Sequence, residues 1–342
     1  MSELLTSEKV KVSVIVLNWN GKRFLKDCLS SLFKQDYDSY EVLLIDNGST
    51  DDSLDFVRHQ FPLTKKLRII ALNRNYGFSK GNNIGVTYAK GDFIIILNND
   101  TKVKPNFITQ VVKIAENDEQ IASVGCQILS INNRVWFSQK FTNGGFIVPF
   151  FLQGLVKARI DLISQRYCVN LANSGCACLF RKAVFESIGG YDEDFLADWE
   201  DWDLGYRINL AGYKSVHIPL PLVFHVGGGT AGHPPERYAR IYGNIMFSHF
   251  KNYNISNLLT RFAVLLFFLL PLFHMGFIIS VLFSGRSFKR NKVFGYLMSL
   301  PRAYVIFLSK LTVYSYKRYA IQKIRKVSDK KIFANTQRKD IL

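Results

Sequence analysis

The sequence predicts an α/β fold: a mainly parallel sheet flanked by helices, followed by a C-terminal helical segment of different character. Three observations carry this. Short apolar runs at residues 12–17, 41–45, 67–72 and 93–97 are too brief for buried helices and read as strands covered on both faces. Helical patterns separate them, and strand, polar turn and helix in repetition build a parallel sheet. Residues 262–285 then hold no Asp, Glu, Lys or Arg over twenty-four positions, which sets the C-terminal segment apart.

A chain of 342 residues is long enough for one large domain or two ordinary ones. The expected division is a body of residues 1–250, made of halves 11–125 and 126–250, and a helical membrane-associating region over 251–342. An apolar content of 48% with 21% charged residues excludes a disordered chain. The net charge is +17, but residues 286–342 carry fifteen Lys/Arg against two Asp, so +13 of it lies there. The basic excess belongs to the C-terminal segment. This argues against a nucleic-acid-binding body, and no RRM, KH or zinc-finger pattern occurs. The five cysteines, Cys28, Cys126, Cys168, Cys176 and Cys178, are odd in number and lie in apolar surroundings, which predicts reduced thiols. Cys176-Ala-Cys178 lacks a second Cys/His pair at metal-site spacing and reads as structural. Residues 1–9 are polar and of mixed charge, without a signal-peptide pattern, which predicts a cytoplasmic body.

Taken in order, the first strand ends in Asn18-Trp19-Asn20-Gly21, and a helix follows through Phe24, Leu25, Cys28, Leu29, Leu32 and Phe33. The second ends in Asp46-Asn47-Gly48-Ser49-Thr50-Asp51-Asp52, with Ser49 or Asp51 placed to cap the helix carrying Leu54, Val57 and Phe61. The third ends at Asn73-Arg74-Asn75-Tyr76-Gly77-Phe78, and a helix over 80–90 leads into the fourth, which stops at Asn98-Asn99-Asp100. Open α/β sheets bind ligands at the carboxyl ends of their strands. Four successive strands ending in Asn or Asp therefore predict a nucleotide site along that edge. The Gly-x-Gly-x-x-Gly and Walker patterns are both absent. The expected holders are side-chain amides, a carboxylate on the base or ribose, and a hard divalent ion on the phosphates. Asp46 is the candidate for the carboxylate, with Asn18 and Asn20 orienting it. Asp100 is the first candidate metal ligand, ordinary turn chemistry being the alternative.

Four stretches, Val12-Ser-Val-Ile-Val-Leu-Asn-Trp-Asn-Gly, Leu44-Ile-Asp-Asn-Gly-Ser-Thr-Asp, Asn75-Tyr-Gly-Phe-Ser-Lys-Gly-Asn-Asn and Leu97-Asn-Asn-Asp-Thr, resemble in order and spacing the family 2 inverting glycosyltransferases of the GT-A fold. The bacterial rhamnosyltransferase-like branch is the most similar, and the resemblance covers roughly residues 11–250. It implies a Rossmann-like, mixed and mainly parallel sheet and a donor nucleotide-sugar (dTDP-, UDP- or GDP-linked). The donor site would be drawn from Asn18, Asn20, Asp46, Asn75, Gly77, Asn82, Asn99 and Asp100. Asn98-Asn99-Asp100 occupies the place of the family's Asp-x-Asp metal motif in its Asn-x-Asp form, leaving Asp100 the main carboxylate for Mg²⁺ or Mn²⁺.

The second half carries the acceptor side. Glu193, Asp194, Asp198, Glu200, Asp201 and Asp203 crowd together, where a carboxylate of raised pKa suited to a general base tends to be found. Acidic residues also favour the first turn of a helix, here expected from Glu200 to Arg207, and both readings hold at once. The resemblance implies the pair Glu200 and Asp201, with Asp201 as base. It also implies that Ser174 and Gly175 match the family's Ser-Gly-Ala strand, and that His225 completes the metal or diphosphate site. Gly227, Gly228 and Gly229 allow backbone amides to approach phosphate. Arg237 and Arg240 are either cations for a diphosphate or a solvated helix face. No Gln-x-x-Arg-Trp motif of the processive synthases occurs, so one sugar per acceptor is expected.

Residues 262–285 are long enough to cross a bilayer core of ~30 Å. Pro271 and His274 fall mid-span, and the next apolar stretch, 293–309, has Pro301-Arg302 at its middle. The favoured reading is a shallow helical hairpin or amphipathic pair in the cytoplasmic leaflet of the bacterial inner membrane, with one true span as the alternative. Residues 310–339 would add binding to anionic headgroups. The function expected is transfer of a single sugar to a membrane-bound glycan or polyprenyl-diphosphate-linked acceptor, with no nucleic-acid partner. The alternative, raised by Asn98, is a membrane-anchored nucleotide-sugar-binding or scaffold protein without turnover.

Overall fold

The computed structural model describes residues 10–61, 66–130, 167–227, 234–283 and 290–337. Strands β1 (Val12–Asn18), β2 (Tyr40–Asp46), β3 (Leu67–Ala71) and β4 (Phe93–Asn98) lie in the order β3-β2-β1-β4, all parallel. Their alternation explains why both faces are apolar. Val14, Val16, Leu44, Ile95 and Leu97 join one core with Leu25, Leu29 and Leu32 of helix α1 (Lys22–Leu32). Ile15, Leu43, Ile45, Ile94 and Ile96 point the other way, onto Val86 of helix α3 (Gly77–Thr87). Helix α2 (Ser53–Gln60) lies between β2 and β3 in the chain; its N-cap is Asp52, not the expected Ser49 or Asp51, although Asp51 accepts from the Ser53 N–H and Ser49 from the Asn20 N–H.

Two boundaries differ from the sequence expectation. The third strand stops at Ala71, and helix α3 runs from Gly77 to Thr87 rather than over 80–90. The shift is tertiary in origin. The Phe78 and Ser79 N–H groups at the start of α3 donate to the Leu196 carbonyl, 2.6 and 3.2 Å away, so a distant loop caps the helix early. At the other end the Lys90 N–H is drawn to Ser13 Oγ and Glu41 Oε1, which ends the helical path.

The sheet becomes mixed in its second half, through β5 (Thr101–Val103), β6 (Ile121–Ser130), β7 (Cys168–Asn170), β8 (Ala177–Arg181) and β9 (Lys214–His225). Strand β8 runs antiparallel to both β4 and β6, while β9 runs parallel to β6 and antiparallel to β5 and β7. Helices α4 (Phe107–Glu116), α5 (Lys182–Ser187) and α6 (Glu200–Leu210) connect these strands. Pro219 and Pro221 fall within β9, and the β6–β9 register shifts around Gln127 opposite them, as the missing N–H groups require.

The C-terminal part is helical: α7 (Pro235–Asn252), α8 (Ile255–Ile279), α9 (Arg290–Leu297), α10 (Ser299–Ser309), α11 (Leu311–Ile324) and α12 (Asp329–Gln337). Helix α8 is continuous through Pro271, with wide π turns at Leu258–Phe262 and Leu265–Leu269. Pro271 has no N–H for the preceding turn, and widening that turn is the usual accommodation. Pro301 lies in the first turn of α10, where its missing N–H costs nothing, and the chain bends between α9 and α10. These helices have a packed side and an exposed apolar side. Phe247, Leu265, Phe307 and Tyr314 form an apolar cluster with Phe195 and Tyr206 of the body. Phe267, Phe268, Leu272, Met275 and Ile279 of α8, with Val305, Leu308, Val313, Tyr316 and Tyr319 of α10 and α11, face outward. Among the described residues α8 is the one helix long and apolar enough to cross a membrane.

Candidate active site

Strand register builds the site. Asn18 pairs with Asp46 across β1 and β2, and Leu17 with Asn98 across β1 and β4, so three polar strand ends lie side by side. On the far side Thr101 pairs with His225, which brings the end of β9 beside Asp100. His225 Nε2 stands 3.0 Å from Asp100 Oδ1, both side chains being about nine-tenths buried. Burial alone would lower the imidazole pKa, but Cys176 and Asp100 beside it override this and hold it up at about 10.

The polar row is tied together from within. Asn99 Nδ2 donates to Asn18 Oδ1 at 2.7 Å, and Asn18 Nδ2 donates to Asp46 Oδ1 and to Ser49 Oγ. The Ser49 N–H donates to the other Asp46 oxygen. Gly21 is required here, because a Cβ would stand 2.1 Å from Asn99 Nδ2 and 2.6 Å from Asn18 Oδ1. Asn20, at φ 49°, accepts from the Thr50 N–H and holds the second loop against the first. Asn75 Oδ1 accepts from the Gly77 N–H and from Asn47 Nδ2. Gly77, at φ +80°, sits against the Leu196 backbone.

Asn18 donates to Asp46, and Asn82 sits in α3. Both are fully buried; Asn18 is spent on its neighbours, and Asn82 donates to the Phe78 carbonyl. Asp46 is also buried, yet only two of its roughly four acceptor positions are used. Cavities of about 700 Å³, between Trp19, Asn20, Arg23 and Phe56, and of about 380 Å³, between Arg23, Asp27, Asp100, Lys102 and Phe224, flank this edge.

Across the crevice α6 begins with Glu200 and Asp201. One Asp201 carboxylate oxygen accepts from the Gly175 N–H at 3.0 Å, the other from the Trp202 N–H at 2.8 Å. Burial raises the Asp201 pKa, and the two amides hold back part of that rise. Glu200 is pushed much higher, by burial and then by the Asp201 charge, and its Oε2 has no hydrogen-bond partner. Of the coupled pair, Asp201 is the more acidic, because the two amides point at it. Ser174, Gly175 and Cys176 bridge the two sides: Gly175 holds Asp201, Cys176 lies against His225, and the Asn98 N–H donates to the Cys176 carbonyl.

Some expectations meet a different arrangement. Arg237 and Arg240 are neither a solvated face nor spread along a phosphate site; both grip Asp198, at 2.6 and 2.8 Å. A half-buried carboxylate on left-handed backbone draws these cations in. Gly228 and Gly229 lie outside the described residues. Among the described residues no three His, Cys, Asp or Glu side chains converge as a ready-made metal site. None of the five cysteines is in a disulfide, in line with the reduced thiols expected. Sequence reasoning passed over Asn47, which ties Asn75 and the Tyr76 N–H to the second strand's turn, although it stood inside a quoted motif. It also passed over Asn244 and Lys251, isolated polar residues of a helix that carry no local signal.

The family model for glycosyl transferase family 2 matches residues 13–189. The chain is 26% identical over 250 residues to the N-acetylglucosaminyl-diphospho-decaprenol L-rhamnosyltransferase of Mycobacterium tuberculosis, covering 66% of this chain and 79% of that relative. It is 32% identical over 114 residues to an uncharacterized glycosyltransferase of Haemophilus influenzae, covering 33% and 35% of the two chains. The chain spans 17% to 35% of the length of several curated relatives it matches. In fold it is similar to the mannosyltransferase PcManGT of Pyrobaculum calidifontis, solved with GDP-Man and Mn²⁺, at a TM-score of 0.52 and 15% identity over 96% of this chain and 84% of that one. With a matched family model spanning more than half its length, and the polar strand edge facing Glu200 and Asp201, the chain belongs to glycosyl transferase family 2.

Proposed function

We propose that the protein transfers one sugar from a nucleotide-sugar to a membrane-bound acceptor with inversion at the anomeric carbon, using Asp201 as general base. The observation that carries this is a buried carboxylate, raised in pKa and aimed by two backbone amides, joined through three residues to the Asp100–His225 pair. An acceptor hydroxyl at Asp201 attacks the anomeric carbon; its proton passes to the Asp201 carboxylate as the new C–O bond forms. The bond to the nucleoside diphosphate breaks on the opposite face, so no enzyme nucleophile is needed.

Asp100 would hold a divalent cation, and His225 would join it only as neutral imidazole, after giving up the proton it shares with Asp100. A carboxylate with an imidazole suits Mn²⁺, and Mg²⁺ commonly takes one or two carboxylates while phosphates supply the rest. Such an ion would neutralise charge developing on the leaving diphosphate. With only two protein ligands, its affinity should be low until the donor diphosphate adds its oxygens. The nucleotide is assigned to the edge formed by Asn20, Asp46, Asn75, Gly77 and Asn99, and the acceptor to the side of Ser174 and Gly175.

A dTDP-, UDP- or GDP-sugar is the expected donor class, rhamnose being favoured by the mycobacterial relative's name. That name also supports a polyprenyl-diphosphate-linked acceptor. The outward apolar faces of α8, α10 and α11 and the basic C-terminal segment support attachment to an anionic membrane surface. The cytoplasmic face of the inner membrane, where nucleotide-sugars are made, is the assigned location. Turnover of a panel of nucleotide-sugars with Mn²⁺, then with EDTA, tests the reading. Metal-dependent turnover that Asp100→Ala abolishes is expected; donor binding with no turnover on any acceptor would sink it.

A further inference from the structure

Among the described residues four non-glycine residues have left-handed backbone, and three of them, Leu196 (φ 54°), Asp198 (φ 67°) and Trp199 (φ 78°), immediately precede α6. Each such residue is strained and persists only where its surroundings over-determine it. Trp199 is also the residue from which α6 starts, so this loop aims the first turn of the helix and the Asp201 carboxylate on it.

What holds the loop comes mainly from the C-terminal helices. Asn244 of α7 donates its side-chain amide to the carbonyls of Phe195, Ala197 and Asp198, at 3.2, 3.1 and 2.6 Å. Arg240 and Arg237, one and two turns earlier on α7, hold the Asp198 carboxylate. At the loop's beginning, Asp192 meets both Lys251 of α7 and Lys317 of α11, and Lys317 reaches Asp194 at 2.7 Å. Helix α11 turns Lys317 inward while Val313, Tyr316 and Tyr319 are exposed on its outer side. The Leu196 carbonyl, in turn, receives the Phe78 and Ser79 N–H groups in the first turn of α3. One short loop thus joins the lipid-facing helices, the base and the helix behind the nucleotide edge.

We propose that Asn244 is a positioning residue for Asp201, and that Lys317 is the link by which the outward-facing helix α11 fixes the same loop. The inference rests on Asp201 being the base. If the loop relaxes toward right-handed backbone, the start of α6 turns and Asp201 leaves the Gly175 amide. Of the donor edge, Asn20, Asp46 and Asn99 are held by the β1, β2 and β4 strand ends and stay in place, while Gly77, against Leu196, is the part that touches the loop. Loss of either clamp therefore lowers turnover far more than donor affinity.

The test uses the full chain with Mn²⁺ and whichever of dTDP-rhamnose, UDP-galactose, UDP-glucose and GDP-mannose gives the highest turnover. Asn244→Ala is expected to lower kcat between ~10- and 10²-fold, the range a misplacement of about 1 Å produces, with donor KM within about twofold. Asn244→Gln, which keeps the donor group, should recover part of the loss. Lys317→Met should lower kcat in the same way without changing co-flotation with anionic vesicles. Circular dichroism and the unchanged KM establish that each variant is folded. Unimpaired kcat in folded Asn244→Ala and Lys317→Met, beside an inactive Asp201→Asn, overturns this inference alone. Near-native turnover in Asp201→Asn overturns the base assignment and this inference with it.

Discussion

Asp201 is held by amides and not by cations, so replacing it with asparagine keeps its volume and one acceptor oxygen while removing the proton-accepting charge. Turnover should fall by ~10²–10⁴-fold, the usual worth of a general base, while donor binding by calorimetry stays near that of the parent. Lys251 supports a different prediction. Its ammonium is fully buried between Asp192 and Asp203 and lies over the Phe195 and Phe247 rings. Burial pulls its pKa down, and the two carboxylates oppose that. Lys251→Met leaves buried carboxylates short of a cation, with Arg207 still on Asp203 and Lys317 still on Asp192. A loss of about 3 kcal/mol in urea unfolding is expected, the low end for breaking a buried pair. Residues of this kind are hard to find in sequence. Asp201 stood in an acidic cluster that announced itself, whereas Lys251 is one basic residue among many, and its two partners lie 59 and 48 positions away.

Among the elements, β1 to β4 were legible because each strand alternates between two apolar cores and so reads as a continuous apolar run. The beginning of α3 was not, because the carbonyl that caps it belongs to Leu196. Helix α8 was legible as apolar but not in its packing. Tyr238 stacks on Phe277 at 4.3 Å and Phe250 meets Phe262, which fixes one side of α8 on α7 and leaves Phe267 and Phe268 outside. A double Phe267→Ser, Phe268→Ser change removes two large side chains about 70% exposed and should leave the fold intact. The vesicle partition coefficient read from co-flotation should fall by ~10²-fold or more, since each fully inserted Phe side chain is worth ~1.5–3 kcal/mol. A variant that floats as well as the parent would show that another face meets the lipid. If lipid contact is chiefly electrostatic, raising salt from low to high ionic strength will release the protein even with both phenylalanines present.

At the scale of the whole molecule, His217 in the sheet and His249 in α7 tie the two parts of the protein to pH. Burial holds both imidazoles down at about 4, against about 6.5 when unfolded. Between these values the unfolded chain binds more protons than the native one, so stability falls as pH drops from about 6.5 to about 4. Each histidine contributes on the order of 3 kcal/mol to that loss. The midpoint of thermal unfolding should therefore decline below pH 6.5, and His249→Gln, which stays neutral, should flatten the decline. A midpoint independent of pH between 6.5 and 4.5 would contradict the burial of these rings. The linear chain already carried the parallel strands, their polar ends, the acidic start of α6 and the apolar C-terminal stretch, because each is written in residues close together. The union of Asp100 with His225, the capture of Arg237 and Arg240 by Asp198, the clamp of Asn244 on a left-handed loop and the choice of which helix faces stay outside arise between segments far apart. Such contacts depend on register and packing, which no local pattern records, and so Asp100, where the fourth strand ends, acquires its partner only when β9 is laid beside β5.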